Sequence, residues 1–349
     1  MMRGPRRARW LLLAALALAG EAGAQTAADA PHPEAREHHA AAASAPPAAP
    51  DALERATETL DRFQDVEEAK REGYRKPWHN DGFMMGEHWF NSALLRAAVC
   101  DLERPAFLQY LMIEGRRTLI GAGYVCDGSK PPPNWFGPLV VWHRHGPELC
   151  RFPSGVFSDA SFYAQLLPNP LNDETWQDVC ESWWAEPERR EVVMLHTWNW
   201  IAQPDGPFAH ENRAIPFLRA GLRVPTREQL DAPAGRAALD TLRLAHGDVG
   251  RRYEGAFRVA DLGRFDTWAA RRVLRRAQRR GRQAVERMQS ADKLGDRNLW
   301  ASAARDGAAV LAQAKTEIAE RLDPEARAVV DRFLSSLEVH DHHTDDEAE

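Results

Sequence analysis

The stretch AFLQYLMIEGRRTLIGAGYV, residues 106 to 125, decides the fold of the first part of this 349-residue chain. Apolar and β-branched residues run from Ala106 to Ile113 and again from Arg117 to Val125, which is typical of strands. Glu114 and Gly115 lie between the two runs, and a short link that contains glycine favours a hairpin turn. The stretch therefore predicts a hairpin of two antiparallel strands, and the domain is expected to have a mainly antiparallel sheet.

Further elements are expected on either side of this hairpin. Before it, apolar residues at helical spacing follow Asp51 and predict a helix that runs to Gly73, a glycine suited to a C-cap. After it, strands are expected at Leu139 to Arg144 and at Val192 to Ile201. With loops between these elements, residues 51 to 220 are predicted to form an α+β domain. A helical stretch between the last two strands is expected to carry Trp176, Trp183 and Trp184.

The second part of the chain has a different composition. Past Pro216 it is rich in Ala, Arg, Leu, Glu and Asp, and Asp323-Pro324-Glu325 has the pattern of an N-cap, a proline at the first helical position and a first-turn acid. Residues 221 to 339 are therefore predicted to form an all-α helical hairpin or bundle. Two mostly apolar helix faces are expected, one formed by Phe265, Trp268, Arg272, Leu274, Ala277, Ala284, Val285 and Met288, the other by Trp300, Ala304, Leu311, Ala314, Ile318 and Leu322.

Both ends of the chain have features that predict export and disorder. The first 24 residues resemble a secretory signal peptide, with four arginines, an apolar run from Trp10 to Gly20 and small residues up to Ala24. This run is shorter than the roughly 20 residues that span a bilayer, so cleavage after Ala24 and a periplasmic or secreted protein are expected. The Ala- and Pro-rich residues 25 to 50 and the His- and acid-rich residues 340 to 349 are predicted to be disordered.

Export would place the four cysteines in a compartment that permits disulfides. Their number is even, and no C-x-x-C spacing favours a zinc ribbon or a thioredoxin-type site. Two structural disulfides are therefore predicted. Pairing of Cys100 with Cys126 and of Cys150 with Cys180 is the simplest of three connectivities, among which the sequence does not choose.

The charge of the chain limits its partners. A net charge of −6 from 45 basic and 51 acidic residues gives no bias towards nucleic acid, which is not expected as a partner. Arginines are concentrated locally between Arg271 and Arg282, where Arg272, Arg276 and Arg280 share one helix face. This stripe could contact the anionic phosphates of the cell envelope. A solvated face that pairs with acids of the neighbouring helix is the favoured alternative.

Histidines on two of the predicted strands have the clearest chemical potential. Alternate residues of a strand share a face, so His143 and His145 point the same way, and His196 shares a face with Trp198 and Trp200. If the two strands are neighbours, three imidazoles converge. Such an arrangement would suit one transition metal ion, zinc, copper or iron.

The Gly86-Glu87-His88-Trp89 segment, expected to form a turn, could add a further ligand to this site. A pocket for a small organic ligand and a purely structural core are the two alternatives to a metal site. The candidate ligand or metal residues are His88, His143, His145 and His196, and the candidate pocket residues are Trp89, Trp142, Trp198 and Trp200.

Glu87 is the candidate catalytic acid-base group. Adjacent strand residues face opposite ways, so Glu87 and His88 would need a turn to act together. No G-x-S-x-G, H-E-x-x-H, Walker or G-x-G-x-x-G motif is present. The leading interpretation is therefore an exported ligand- or transition-metal-binding accessory protein of the envelope. A metal-dependent or acid-base hydrolase-like enzyme and a structural interaction protein are the alternatives.

The run Met85-Gly86-Glu87-His88-Trp89-Phe90-Asn91 and the run His196-Thr197-Trp198-Asn199-Trp200 resemble a group of exported bacterial proteins of unknown function. The resemblance covers residues 60 to 215 and does not extend past residue 220. It implies an envelope domain in which His88 and His196 lie near one another, and it implies no known reaction. An acid often precedes the tyrosine in that group where this chain has Gly123, so a role of that acid would be missing here.

Overall fold

The computed structural model describes residues 51–342, with gaps at 78–80, 99, 138–139, 141, 152–156, 160–179, 181–184 and 261. The described residues belong to one compact unit. The predicted signal peptide, the predicted linker, the helical stretch with Trp176, Trp183 and Trp184, and tail residues 343–349 all lie outside the described residues.

The helix predicted to run to Gly73 is divided into three pieces. Helix α1 (Ala52–Leu60) leads into a 3₁₀ turn (Asp61–Gln64), and helix α2 (Val66–Arg71) follows. The single helix is wrong because Asp65 has an extended backbone, and its side chain caps α2 instead. Gly73 does follow the last turn with a φ of +94°.

The predicted hairpin is confirmed and lies within a seven-stranded antiparallel sheet. The strand order is β1-β3-β4-β5-β10-β6, and β2 pairs with β3. A smaller sheet has the order β8-β7-β9, so the fold is α+β as predicted. The strands are β1 (Tyr74–Arg75), β2 (Asp81–Gly82), β3 (Gly86–Asn91), β4 (Phe107–Ile113), β5 (Arg116–Asp127), β6 (His143–His145), β7 (Glu148–Arg151), β8 (Phe157–Asp159), β9 (Glu186–Arg189) and β10 (Val192–Thr197), with helix α3 (Ser92–Ala97) after β3.

Two strands are shorter than the sequence predicts. The strand expected from Leu139 to Arg144 is represented by β6, which includes only residues 143–145. The strand expected to reach Ile201 ends at Thr197, because the backbone N–H of Trp198 donates to the carbonyl of Pro207, at 2.9 Å, instead of continuing the ladder. Beyond Thr197 the backbone keeps one further contact with β5, because the N–H of Trp200 donates to the carbonyl of Ile120 at 3.5 Å.

Both disulfides are present, and they follow the sequential pairing. Cys100 bonds to Cys126 of β5, and Cys150 of β7 bonds to Cys180; the Cα atoms are 5.1 Å apart in each pair. Each bond closes a loop of moderate length, which limits the freedom of the unfolded chain. The disulfides thus connect the sheets to the long connections around them.

The second part of the chain is helical. Its helices are α4 (Ala214–Arg219), α5 (Arg227–Asp231), α6 (Pro233–His246), α7 (Asp248–Val259), α8 (Arg264–Leu294), α9 (Arg297–Ala319) and α10 (Pro324–His342). The predicted N-cap is confirmed, since Oδ1 of Asp323 accepts from the N–H groups of Glu325 and Ala326 at 3.0 and 2.9 Å. Helix α10 extends to His342, so the first residues of the predicted disordered tail are helical.

One predicted apolar face is wrong at its beginning. Leu274 and Met288 of α8 are buried, but Phe265 is 89% exposed and Trp268 is 54% exposed. The spacing explains the error. Arg272 and Leu274 are only two residues apart, so the predicted set passes from one side of the helix to another.

The sheet and the helices share part of a core. Phe83 and Met84, from the segment between β2 and β3, pack in one cluster with Phe217 of α4, Leu242 of α6 and Met288 of α8. Ile215 of α4 also packs with Leu111 of β4 and Ile120 of β5, so the helices contact the sheet through its central strands as well. None of the described helices is long and apolar enough to cross a membrane.

Candidate metal centre

The histidines lie on one face of the seven-stranded sheet, which we call the histidine face. Residues directly opposite each other on neighbouring antiparallel strands share a face. Four pairs of opposing residues contain a histidine or support one on this face. They are His88 with Gln109, Phe107 with Gly123, His196 with Gly123, and Met194 with His143.

Gly123 makes room for the aromatic ring beneath the histidines. A Cβ atom on residue 123 would lie 1.8 Å from Cζ of Phe107. The Phe107 ring fills this space and contacts the rings of both His88 and His196, at centroid distances of 5.1 and 5.3 Å. The absence of a side chain at Gly123 therefore lets Phe107 support two histidines at once.

Three histidines form the candidate metal centre: His143 of β6, His196 of β10 and His210 of the loop that follows β10. One ligand atom from each lies within 4.8 Å of those of the other two, so this cluster could hold a metal ion. The ring centroids are 4.5 Å apart for His143 and His210, 5.4 Å for His143 and His196, and 5.3 Å for His196 and His210. A tetrahedral ion with bonds of about 2.0 Å needs ligand nitrogens about 3.3 Å apart, so the rings need to close by at most about 1.5 Å.

His196 is the buried member of this cluster. Its side chain is 1% exposed, and its Nε2 has no hydrogen-bond partner in the described part of the chain. Burial lowers the pKa of His196 well below its ordinary value, and the nearby His210, His143 and His88 lower that pKa further. The ring is therefore neutral near pH 7, the state in which an imidazole binds a metal.

Gln109 connects His196 to His88 beneath the cluster. Its fully buried amide Nε2 donates to the carbonyl of Met85 at 3.2 Å, and it lies 3.3 Å from Nδ1 of His196 and 3.5 Å from Nε2 of His88. Burial lowers the pKa of His88 to about 4, so this ring is also neutral. His88 thus approaches the three-histidine cluster through Gln109, with a ring distance of 6.2 Å to His196.

The segment Gly86 to Trp89, which was expected to form a turn, lies within strand β3 instead. Glu87 therefore lies on the opposite face of the sheet from His88, as strand alternation requires. Its carboxylate accepts from Nζ of Lys76 at 2.7 Å, from Nε of Arg117 at 2.8 Å and from Nε1 of Trp89 at 3.3 Å. Burial alone would raise the pKa of Glu87, but these hydrogen bonds outweigh it and hold that pKa below the usual value. Glu87 is therefore an ionised member of a charge network away from the histidines.

His145 and the tryptophans have separate environments. The His145 ring lies 4.9 Å from that of His143, but it is not a member of the three-histidine cluster. Trp89 and Trp200 pack in the core beside α1 and α2, and Trp142 contacts Trp135. Trp198 packs with Leu111, Ile120 and Ile215, while its ring is 6.1 Å from that of His196.

His210 is the member of the cluster that the sequence analysis missed. It follows Ala209 in a loop without periodic spacing, and no motif distinguishes it from an ordinary surface histidine. The loop is held in place by Trp198, whose N–H donates to Pro207 and whose Nε1 donates to Ala209 at 2.7 Å. Both anchors exist only in the folded protein, so no feature of the sequence marks His210 as a member of the site.

Comparisons with known proteins identify no family for this chain. No protein-family model matches it, and neither a curated protein nor a solved structure gives a significant match. Its function must therefore be inferred from the geometry and chemistry of the site.

Proposed function

We propose that this protein is an exported metal-binding protein that holds one transition metal ion between His143, His196 and His210. The observation that supports this function is the state of His196, a buried neutral ring with an unpartnered Nε2 among the described residues, within reach of two further imidazoles. An unpartnered buried nitrogen is unfavourable unless something binds it. A metal ion would satisfy it.

The ligand set favours some metals over others. Three imidazoles suit zinc, copper or iron, whereas calcium and magnesium prefer carboxylate and carbonyl oxygens, which this cluster does not contain. Three protein ligands would leave one position of a tetrahedral ion for water or a small ligand. Zinc sites with a purely structural role are closed by four protein ligands, so an open position would distinguish this site from them. Glu87 does not contribute a ligand, because it is paired on the other face of the sheet.

Gln109 would adjust the protonation of His196. An imidazole that binds a metal through Nε2 carries its proton on Nδ1, and a metal-bound histidine usually donates that proton to a neighbouring oxygen. The Oε1 atom of Gln109 has no partner among the described residues, and a half-turn of the amide, which gives up the hydrogen bond to the Met85 carbonyl, would exchange it with Nε2 beside His196. Gln109 can therefore serve as a second-layer partner that orients the metal-binding ring.

Export is part of the proposal. Two disulfides fit an extracellular protein. The basic and apolar segments of residues 1–24 support delivery to the periplasm or the medium. In such a compartment zinc and copper would be available to a three-histidine site.

The test is zinc and copper titration of the full mature chain, by calorimetry or by competition with a chromophoric chelator. We expect one tight site in the wild type, weakened at least about 100-fold in His196→Ala and in His210→Ala, because each removes one of three ligands. His145→Ala is the matched control, since this ring contacts His143 from outside the cluster. It should change the affinity less than about threefold.

Two outcomes would overturn the proposal: absence of a tight site in the wild type, or a tight site of unchanged affinity in both His196→Ala and His210→Ala. Circular dichroism of each variant confirms that it is folded. The histidines of the two ends of the chain are the same in every variant, so any weak metal binding by them cancels in the comparison.

A further inference from the structure

Helix α8 carries an exposed stripe that the metal centre does not use. Its members follow one another at spacings of three and four residues, so they form one continuous line along the helix. The line covers about 26 Å at about 1.5 Å per residue. We call it the α8 stripe, and it consists of Phe265, Trp268, Arg272, Arg275, Arg279 and Arg282.

The stripe lies on the side of α8 that faces away from the core. The buried residues of this helix include Ala270, Ala277, Ala284 and Met288, which follow a separate line on the other side. All six members of the stripe are exposed. The stripe is therefore open to solvent along its whole length.

The arginines of α8 divide into two groups. Those that flank the stripe have partners on neighbouring helices: Arg271 pairs with Glu254 at 2.6 Å, and Arg276 pairs with Glu317 at 2.8 Å. Within the described residues, no carboxylate pairs with the arginines of the stripe, and Arg282 reaches only a backbone carbonyl. The stripe ends one turn later at Glu286. Its positive charge is thus left without a counter-charge from the protein.

The beginning of the stripe is aromatic. Phe265 is the most exposed large apolar side chain of the described residues, and the guanidinium of Arg272 lies over the Trp268 ring, 4.7 Å from its centroid. Exposed aromatic rings followed by unpaired arginines are typical of helices that lie in the interface of an anionic membrane. The rings enter the boundary between headgroups and acyl chains, and the arginines meet the phosphates.

We propose that the α8 stripe docks this protein onto the surface of a membrane that contains anionic phospholipids, with α8 parallel to the plane of the membrane. Charge complementarity selects this occupant: four arginines and no acid lie on the stripe, although the whole chain carries a net charge of −6. The attraction between the protein and the membrane must therefore come from the stripe itself, which fixes the orientation of the protein. It does not depend on the metal centre.

The test is co-sedimentation of the full mature chain with phosphatidylcholine vesicles that contain about one third phosphatidylglycerol, which gives their surface a negative potential. Pure phosphatidylcholine vesicles are the uncharged control. We expect binding to the anionic vesicles alone, and we expect it to weaken as salt is added. Changing Arg272, Arg275, Arg279 and Arg282 together to Gln should weaken binding at least about 100-fold, since each arginine contributes about fivefold. Trp268→Ala should weaken it further.

A matched variant separates the stripe from general loss of charge. Arg116, Arg297, Arg305 and Arg332 are exposed and lie outside the stripe, and their joint change to Gln alters the net charge by the same amount. This variant should keep nearly all of the binding. Three results would overturn the proposal: no binding of the wild type, equal binding to charged and uncharged vesicles, or equal loss in the two variants. Unchanged circular dichroism shows that each variant is folded.

Discussion

The two faces of the seven-stranded sheet differ in whether their buried polar atoms have hydrogen-bond partners. Glu87 and His88, which are adjacent residues of β3, lie on opposite faces. Glu87 is 7% exposed, and its carboxylate accepts hydrogen bonds from Lys76, Arg117 and Trp89. On the histidine face, Nε2 of His196 and Oε1 of Gln109 are buried and have no partners among the described residues.

The tyrosines of the Glu87 face strengthen this contrast. The hydroxyl of Tyr110 donates to the carbonyl of Phe63 at 2.6 Å, and that of Tyr124 donates to the carbonyl of Leu102 at 3.1 Å. Buried polar groups are usually satisfied within a protein, and those that are not often belong to binding sites. The Glu87 face therefore stabilises the fold, while the histidine face sacrifices some stability for a binding site.

The largest effect is expected at Gly123, because packing of the fold and support of the histidines both depend on this residue. Gly123→Ala places a Cβ within 2.4 Å of three atoms of the Phe107 ring, and should lower the free energy of unfolding by about 3 kcal/mol. Urea denaturation measures this loss. Gly250→Ala in α7 is the control, because its Cβ would meet nothing within 4 Å, and it should not destabilise. Equal midpoints for Gly123→Ala and the wild type would show that the histidine face is not tightly packed.

A smaller effect is expected from Glu87→Gln, which preserves shape and removes the charge. Lys76 and Arg117 lose their counter-charge, so the free energy of unfolding at pH 7 should fall by about 2 kcal/mol. Zinc affinity should not change, because Glu87 is on the other face. Glu67→Gln, which breaks an exposed pair with Lys70, is the control and should cost less than about 0.5 kcal/mol. A loss of zinc binding in Glu87→Gln would abolish the distinction between the faces.

The lowered pKa of Glu87 predicts that its contribution to the free energy of unfolding depends on pH. The folded pKa of Glu87 is lower than its unfolded value, so its stabilising effect is fully present above about pH 4.3 and is lost as the pH falls through the folded pKa. The difference in unfolding free energy between the wild type and Glu87→Gln should therefore shrink in acid. Urea denaturation at a series of pH values measures it, and a difference that grows below pH 4 would have the wrong sign.

The smallest effect is expected at Gln109, which orients His196 without binding the metal. Gln109→Met should weaken zinc binding about tenfold, as is typical for partners of metal ligands. Gln64→Met provides the control. The Gln64 side chain, like that of Gln109, hydrogen-bonds to a backbone group, here that of Leu119 in β5. It lies away from the histidines, so its change should leave zinc affinity intact. Equal affinities for Gln109→Met and the wild type would remove Gln109 from the site.

Much of the local structure could be predicted from the sequence. The hairpin of β4 and β5 follows from two β-rich runs and a Glu-Gly turn, in which Glu114 and Gly115 adopt φ angles of +50° and +78°. The neighbouring arrangement of β6 and β10 was a condition of the predicted histidine site, and their pairing is confirmed. The apolar face of α8 was predicted only in part, because a list of apolar residues does not show where a helix changes sides.

The sequence by itself determined the elements whose causes lie within a few residues: the hairpin, the cap at Asp323 and the alternation that separates Glu87 from His88. Only the tertiary structure decided which histidines meet. His210 joins His143 and His196 because the loop after β10 folds back onto Trp198, and His145 remains outside although it shares a strand with His143. The physical reason is the separation along the chain of the residues involved. Turns, caps and strand alternation depend on residues a few positions apart, whereas the site depends on packing between distant segments.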